Sequence, residues 1–131
     1  MATGIENLKI YTLAKDLEIE VHIAVKNFPR EERFRSIDQL KRSSASVANN
    51  IAEAYYKKSP KEKIRILRGI AISEAEETRT NLTRCAEKEF ITPEAISGII
   101  GRYIELRMAI FGYIKFLEQY KKDQVKNSST H

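Results

Sequence analysis

Apolar residues recur at three- and four-residue steps along most of this 131-residue chain, which is the spacing of one face of an α-helix. Only 5 Gly and 3 Pro interrupt the pattern. A sandwich or barrel needs many short strands joined by turns, and the long uninterrupted elements exclude that architecture. The sequence therefore predicts an all-α protein whose length suits a single domain.

Proline positions divide the pattern into four predicted helices. Helix one ends at Phe28, because Pro29 pushes the residue before it out of the α region. Helix two begins at Ser36, where Gln39 stands three residues later as in a capping box, and it runs to about Tyr56.

Helices three and four each begin with a hydroxyl residue followed by proline. Ser59-Pro60-Lys61-Glu62 has the spacing of a second capping box, and Thr92-Pro93 opens helix four by similar chemistry. Four amphipathic helices with short connections predict an antiparallel up-down-up-down four-helix bundle. We assign the bundle to residues 1–122 and a flexible C-terminal tail to residues 123–131, which are polar and lose the helical period.

Several apolar residues lie off the predicted core faces and are surplus to a monomeric bundle. They occur on helices one, three and four: Ile19, Ile23, Ile66, Ile70, Ile104, Met108, Phe111 and Phe116. Gly98, Gly101 and Gly112 share one face of helix four, where each glycine costs roughly 0.5–1 kcal/mol relative to alanine. Scattered apolar surface residues occur in every protein, but a surplus on three helices favours a homo-oligomer.

Positive charge is concentrated at the start of helix three. Residues 57–68 hold six basic residues and one acidic residue, an excess equal to the +5 net charge of the whole chain. Four of the basic residues follow three- and four-residue steps and form what we call the basic ridge: Lys57, Lys61, Arg65 and Arg68. The ridge, with the neighbouring Lys58, is either an ordinary solvated face or a surface that binds the phosphates of a nucleic acid.

Polar residues occupy the side of helix two opposite Leu40 and Ile51. This polar strip consists of Gln39, Arg42, Ser46, Asn49, Asn50 and Glu53. The strip either faces solvent or forms hydrogen bonds that fix subunit register or hold a partner.

Residues typical of catalytic and metal sites are sparse. His22 and the terminal His131 suggest no triad or zinc cage, and the sequence has no glycine-rich phosphate loop. Cys85 has no second cysteine with which to form a disulfide, as is usual in a reducing cytoplasm. No apolar run approaches the ~18 residues of a membrane span, and no secretory signal is visible at the amino terminus. The sequence therefore predicts a cytoplasmic, non-enzymatic protein with no cofactor or metal.

Two segments resemble a known family. Phe28-Pro29, followed by the segment from Gln39 to Glu53, is similar to the signature of the four-helix bundle proteins encoded in intervening sequences of bacterial 23S ribosomal RNA genes. The matching positions on helix two are Gln39, Arg42, Ser46, Asn50, Ile51, Ala52 and Glu53, and those on helix three are Ala71, Ser73 and Glu76. Ala48 and Ala54 stand where the family usually has proline and glycine.

The resemblance implies a function that the composition alone does not. Related proteins include the accessory subunits of diversity-generating retroelements, which resemble barrel-shaped pentamers with basic surfaces that bind nucleic acid and a reverse transcriptase. The resemblance therefore implies a ring-like homo-oligomer, with a pentamer favoured, that acts as a non-enzymatic scaffold for RNA or an RNA–DNA intermediate. Its candidate nucleic-acid contacts are Lys57, Lys58, Lys61, Arg65 and Arg68. The alternative is a protein-interaction adaptor, such as an accessory subunit of a reverse transcriptase.

Overall fold

The computed structural model describes residues 4–129 and the side chains of residues 4–126, and all regular structure in that range is helical. The α-helices are α1 (Lys9–Ala24), α2 (Ser36–Tyr56), α3 (Pro60–Ile66), α4 (Ile72–Glu87) and α5 (Pro93–Ser129). A π-helical turn, Leu67–Ala71, joins α3 to α4, so these three elements form one rod, which we call the third rod. Predicted helix three is this rod, and predicted helix four is α5.

The rods pack around one apolar core. α1 contacts α2 and α5, and α4 contacts the same two helices, so the four rods close around a common interior. Each rod contributes fully buried side chains, among them Leu17, Leu40, Leu82 and Tyr103. The predicted all-helical bundle is confirmed.

The end of helix one follows from Pro29. α1 ends at Ala24 and a short 3₁₀ turn covers Val25–Asn27. Phe28 then adopts an extended conformation, with φ −68° and ψ 154°, as expected for a residue that precedes proline.

The capping box predicted at Ser36 is wrong. Arg35 occupies the N-cap position, and Ser36 is the first residue of α2. The Ser36 hydroxyl instead donates a hydrogen bond of 2.6 Å to the Glu32 carboxylate, because the 3₁₀ turn Arg30–Glu32 brings that side chain alongside the helix start. This hydrogen bond lowers the pKa of Glu32.

The two caps that involve proline are present. The Ser59 hydroxyl accepts a hydrogen bond of 3.1 Å from the backbone amide of Glu62. The Thr92 hydroxyl accepts one of 3.2 Å from the amide of Ala95. These caps fix the starts of α3 and α5 where the sequence predicts them.

The π turn changes the predicted orientation of one isoleucine. Ile66, predicted to lie off the core, has only 1% of its surface exposed, so that prediction is wrong. In a π turn the hydrogen-bonded residues are five apart rather than four, so the helical faces before and after the turn are offset from those of a continuous α-helix. Ile70 remains off the core and is exposed, as predicted.

The last helix continues beyond the predicted end of the bundle. α5 runs to Ser129, and the side chains of residues 121–126 are exposed. The predicted tail at residues 123–131 is therefore helical as far as Ser129, while residues 130–131 lie outside the described residues.

Candidate nucleic-acid interface

The residues of the basic ridge come from three consecutive parts of the chain. Lys57 is the C-cap of α2, while Lys61 and Arg65 lie on α3 and Arg68 lies in the π turn. Lys61, Arg65 and Arg68 are exposed and line one groove. Lys57 lies outside that lining, 4.0 Å from the Glu53 carboxylate, and the exposed Lys58 is also outside it.

The groove has a second basic wall that the sequence analysis missed. It lies between the third rod and the end of α5, has a volume of about 840 Å³, and is open to solvent. We call it the basic groove. Its lining contains six cationic side chains, namely Lys61, Arg65, Arg68, Lys121, Lys122 and Lys126. The structure thus joins the basic ridge to a part of the chain that was predicted as the end of the bundle and its tail.

A signal for this second wall is present in the sequence. Glu118, Lys121, Lys122 and Val125 follow three- and four-residue steps that continue the period of α5. Because these residues are polar apart from Val125, the steps do not register as an apolar face. Their position next to the ridge becomes visible only when α5 is packed against the third rod.

One acidic residue belongs to the described lining of the basic groove. The Glu118 carboxylate accepts a hydrogen bond of 2.5 Å from the Arg68 guanidinium, with both side chains about half exposed (43% and 56%). This ion pair connects α5 to the π turn. Ile64 and Val125 supply the apolar part of the lining, and Val125 is 63% exposed.

Lys63 belongs to the same basic segment but has a different role. Its ammonium group donates hydrogen bonds to the carbonyl oxygens of Tyr55 (2.6 Å) and Ala54 (3.2 Å) in the last turn of α2. It also lies 5.6 Å from the centre of the Tyr55 ring. Partial burial lowers the pKa of Lys63. This lysine therefore caps α2 and is not part of the basic ridge.

Three of the six residues of the polar strip form contacts within α2. Arg42 pairs with Asp38 at 3.2 Å, and the Asn50 amide donates to the Ser46 carbonyl and hydroxyl oxygens at 2.8 and 2.9 Å. Gln39, Asn49 and Glu53 are exposed. Ser46 also faces α4, where its hydrogen bond to Glu74 opposes the rise in that carboxyl's pKa caused by burial and by Glu77.

Few groups suited to catalysis are found. Cys85 is buried, and burial raises the pKa of its thiol, which disfavours the nucleophilic thiolate. The part of the chain that the structure describes contains no group of three His, Cys, Asp or Glu side chains able to hold a metal ion. His22 is exposed, and His131 lies outside the described residues. None of the described helices is long and apolar enough to cross a membrane.

Comparison with known proteins identifies a family. The sequence model of the 23S rRNA-intervening sequence protein family matches residues 6–112. The chain belongs to this family. A crystal structure at 1.70 Å resolution, of a protein of unknown function from the S23 ribosomal protein family of Bacteroides thetaiotaomicron, is similar in fold, with a TM-score of 0.71 and 26% identity. The match covers 81% of this chain and 98% of that one, whereas no curated protein matches.

Positions on α2 and α4 that match the signature of the 23S rRNA-intervening sequence family lie next to each other. Gln39 of α2 lines a small polar pocket with Ser73 and Glu76 of α4. We call it the motif pocket; its full lining is Gln39, Ser73, Glu76, Glu77, Thr80, Asn81 and Arg84. The Glu76 carboxylate pairs with Arg79 at 2.7 Å and with Arg107 of α5 at 3.7 Å. Three matching positions, Gln39, Ser73 and Glu76, therefore lie where α2 meets α4, and Glu76 also pairs with α5.

An apolar surface runs along the outer side of α5. Met108 is 69% exposed, and Ile104 and Phe111 are exposed beside it. A Cβ atom added at Gly101 or Gly112 would meet no atom within 4 Å beyond its own stretch of helix, so no described contact with another part of the chain requires glycine there. Ile19 and Ile23 of α1 and Phe116 of α5 are also exposed, as predicted. We call Gly101, Ile104, Met108, Phe111 and Gly112 the apolar outer face.

Proposed function

We propose that this protein is a non-enzymatic, oligomeric scaffold that binds nucleic acid through its phosphates. The observation that carries the proposal is the basic groove, whose described lining holds six cations and one acidic side chain. Phosphate contacts release condensed counterions and dominate nucleic-acid affinity. A concave surface lined by one sign of charge also concentrates a polyanion near it.

The proposed target is RNA or an RNA–DNA intermediate, bound with little sequence preference. Lysine and arginine contacts to phosphates position a protein without reading the bases. The family description supports an association with RNA genes but names no ligand. We assign no catalytic residue, metal or cofactor, and we place the protein in the cytoplasm.

Assembly is the second part of the proposal. The connections at residues 57–59 and 88–92 are short, which supports an antiparallel arrangement of consecutive rods. Exposed Met108, Ile104 and Phe111 form an apolar surface of the kind that marks protein interfaces. A ring, with a pentamer favoured by the family resemblance, would repeat the basic groove around the assembly and strengthen its field. Light scattering that gives the mass of one chain would contradict this part.

A binding experiment tests the nucleic-acid part. Affinity should fall as salt rises, with a slope in log K against log salt near −0.7 per contacted phosphate for a single strand. The double variant Lys61→Glu/Arg65→Glu should weaken binding by roughly tenfold or more and flatten this slope. The matched control, Lys15→Glu/Lys26→Glu, makes the same charge change at two exposed lysines outside the groove lining. Equal losses in the two variants would contradict a specific site.

The alternative function is a protein-interaction adaptor, such as an accessory subunit of a reverse transcriptase. The exposed apolar outer face favours it, because such a face can bind a different protein as well as a second copy. Under this alternative the basic groove meets an acidic partner surface. Salt-dependent binding to nucleic acid by the purified protein alone would support the scaffold over the adaptor.

A further inference from the structure

The basic groove combines two kinds of lining. Lys61, Arg65 and Arg68 stand on the third rod, and the cations of α5 stand opposite, with Ile64 and Val125 among them. A duplex presents its phosphates outward and keeps the faces of its bases stacked inside, so those faces are not available to such a lining. A single strand presents phosphates together with unstacked base faces. The mixture of cationic and apolar side chains therefore matches a single strand better than a duplex.

The groove also contains its own competitor for a phosphate. The Glu118 carboxylate accepts a hydrogen bond of 2.5 Å from the Arg68 guanidinium, a donor that a phosphate oxygen can also use. Both side chains are about half exposed, and ion pairs of that kind contribute little to stability. An incoming phosphate can therefore replace the carboxylate without disturbing the fold.

We propose that the basic groove binds single-stranded nucleic acid and that a phosphate takes the place of Glu118 on Arg68. The inference rests on the proposed function, since it names the ligand class of the same site. In the free protein Glu118 holds Arg68 across the groove. In the complex Arg68 pairs with a phosphate, and Glu118 turns towards solvent and neighbouring lysines such as Lys121 and Lys122.

The test measures affinity for a fluorescent twelve-nucleotide dT strand and for its duplex with dA, at about 50 mM salt. The strand should bind more tightly than the duplex. Glu118→Gln should tighten binding of the strand about fivefold, because Arg68 no longer has to exchange partners. The matched control is Glu105→Gln, which removes the same charge from an exposed position of α5 about 20 Å away along the helix.

A double variant separates partner exchange from a general charge effect. If Glu118 acts through Arg68, Glu118→Gln should tighten binding in the wild-type background but not in an Arg68→Gln background. Val125→Ser should weaken binding of the strand two- to threefold and leave duplex binding unchanged, because only the strand has base faces to contact the valine. Val125 is exposed, so this variant keeps the fold.

Each outcome bears on a different proposal. Duplex binding as tight as strand binding, or equal effects of Glu118→Gln and Glu105→Gln, would overturn the inference while the nucleic-acid scaffold stands. The inference is also overturned if Glu118→Gln still tightens binding of the strand in the Arg68→Gln background. Absence of binding to both probes and to a twelve-nucleotide rU strand, by wild-type protein and by Glu118→Gln, would overturn the scaffold and the inference together. Binding of an acidic Glu/Leu amphipathic peptide under those conditions would then identify the protein partner class.

Discussion

The basic groove and the motif pocket both lie between the third rod and a neighbouring helix, but they differ in how their charges are paired. In the motif pocket Glu76 faces two arginines, Arg79 and Arg107, so its charge is matched within the chain. The described lining of the basic groove contains six cations and one carboxylate, that of Glu118. Charges matched within the chain hold helices together, whereas a lining in which cations outnumber acidic side chains attracts a ligand of negative charge. The motif residues Gln39, Ser73 and Glu76 and the residues that we propose bind nucleic acid therefore belong to different surfaces.

The largest effect on stability is expected in the motif pocket. Glu76→Leu removes the carboxylate shared by Arg79 and Arg107 and leaves both guanidinium groups without it. The free energy of unfolding should fall by about 1–2 kcal/mol, while nucleic-acid affinity should not weaken. Urea denaturation and a binding titration on the same samples measure both. A loss of affinity comparable to that of Lys61→Glu/Arg65→Glu would break the distinction between the two surfaces.

A matched lysine pair tests the distinction within the basic segment. Lys63→Met removes the cap of α2 and should cost about 1 kcal/mol of stability with little change in affinity. Lys61→Met should have the reverse effect, because Lys61 is exposed and lines the groove. Thermal denaturation measures the stability of both variants, and titration with nucleic acid measures their affinity. Identical behaviour of the two would show that position on the helix does not separate the roles.

The polar strip offers a smaller contrast. Asn50→Leu breaks two hydrogen bonds to Ser46 and should cost about 0.5–1.5 kcal/mol. Glu53→Leu removes only an exposed ion pair with Lys57 and should change stability by no more than about 0.5 kcal/mol in the isolated chain. Denaturant midpoints measured below and above the concentration at which the protein assembles separate folding from association. A large cost for Glu53→Leu only in the assembled protein would place the strip in a subunit interface.

The smallest effect concerns pH. Burial and the nearby Glu77 raise the pKa of Glu74 above 4.5 in the folded state. The folded protein therefore binds this proton more tightly than the unfolded chain, so stability from Glu74 is greatest below pH 4.5 and is lost as pH rises through the folded pKa. Glu74→Gln should stabilise the protein at pH 7 by under about 0.5 kcal/mol and have no effect near pH 4. Destabilisation at pH 7 would mean that the Ser46 hydrogen bond outweighs burial.

Local sequence predicted most of the fold because local chemistry determines it. Ser59 and Thr92 form the caps that their spacing predicts, and the buried face of the third rod follows the apolar period from Ile64 to Cys85. The buried hydroxyls of Ser43 and Thr78 lie 2.7 Å apart and connect α2 to α4. A contact of this kind depends on how the two helices pack and is not visible in the sequence of either helix alone.

The missed features depend on packing between distant segments. No local pattern marks the π turn, and Ile66 was misplaced because a constant 100° step was assumed across it. Half of the basic groove was missed for a similar reason. A polar helix end and a solvated tail have the same composition, and what distinguishes them here is the contact between Glu118 and Arg68, 50 residues apart.

The π turn also decides which way the start of the third rod faces. One residue more or less in a helix rotates everything beyond it by about 100° relative to the other end. Removing one residue from Leu67–Ala71 would leave α4 in its place and swing Lys61 and Arg65 around the rod axis, away from the end of α5. The π turn thus determines the direction in which Lys61 and Arg65 face. In a relative with an unbroken α-helix at this point, cations at the same sequence positions would point in a different direction and face a different neighbour.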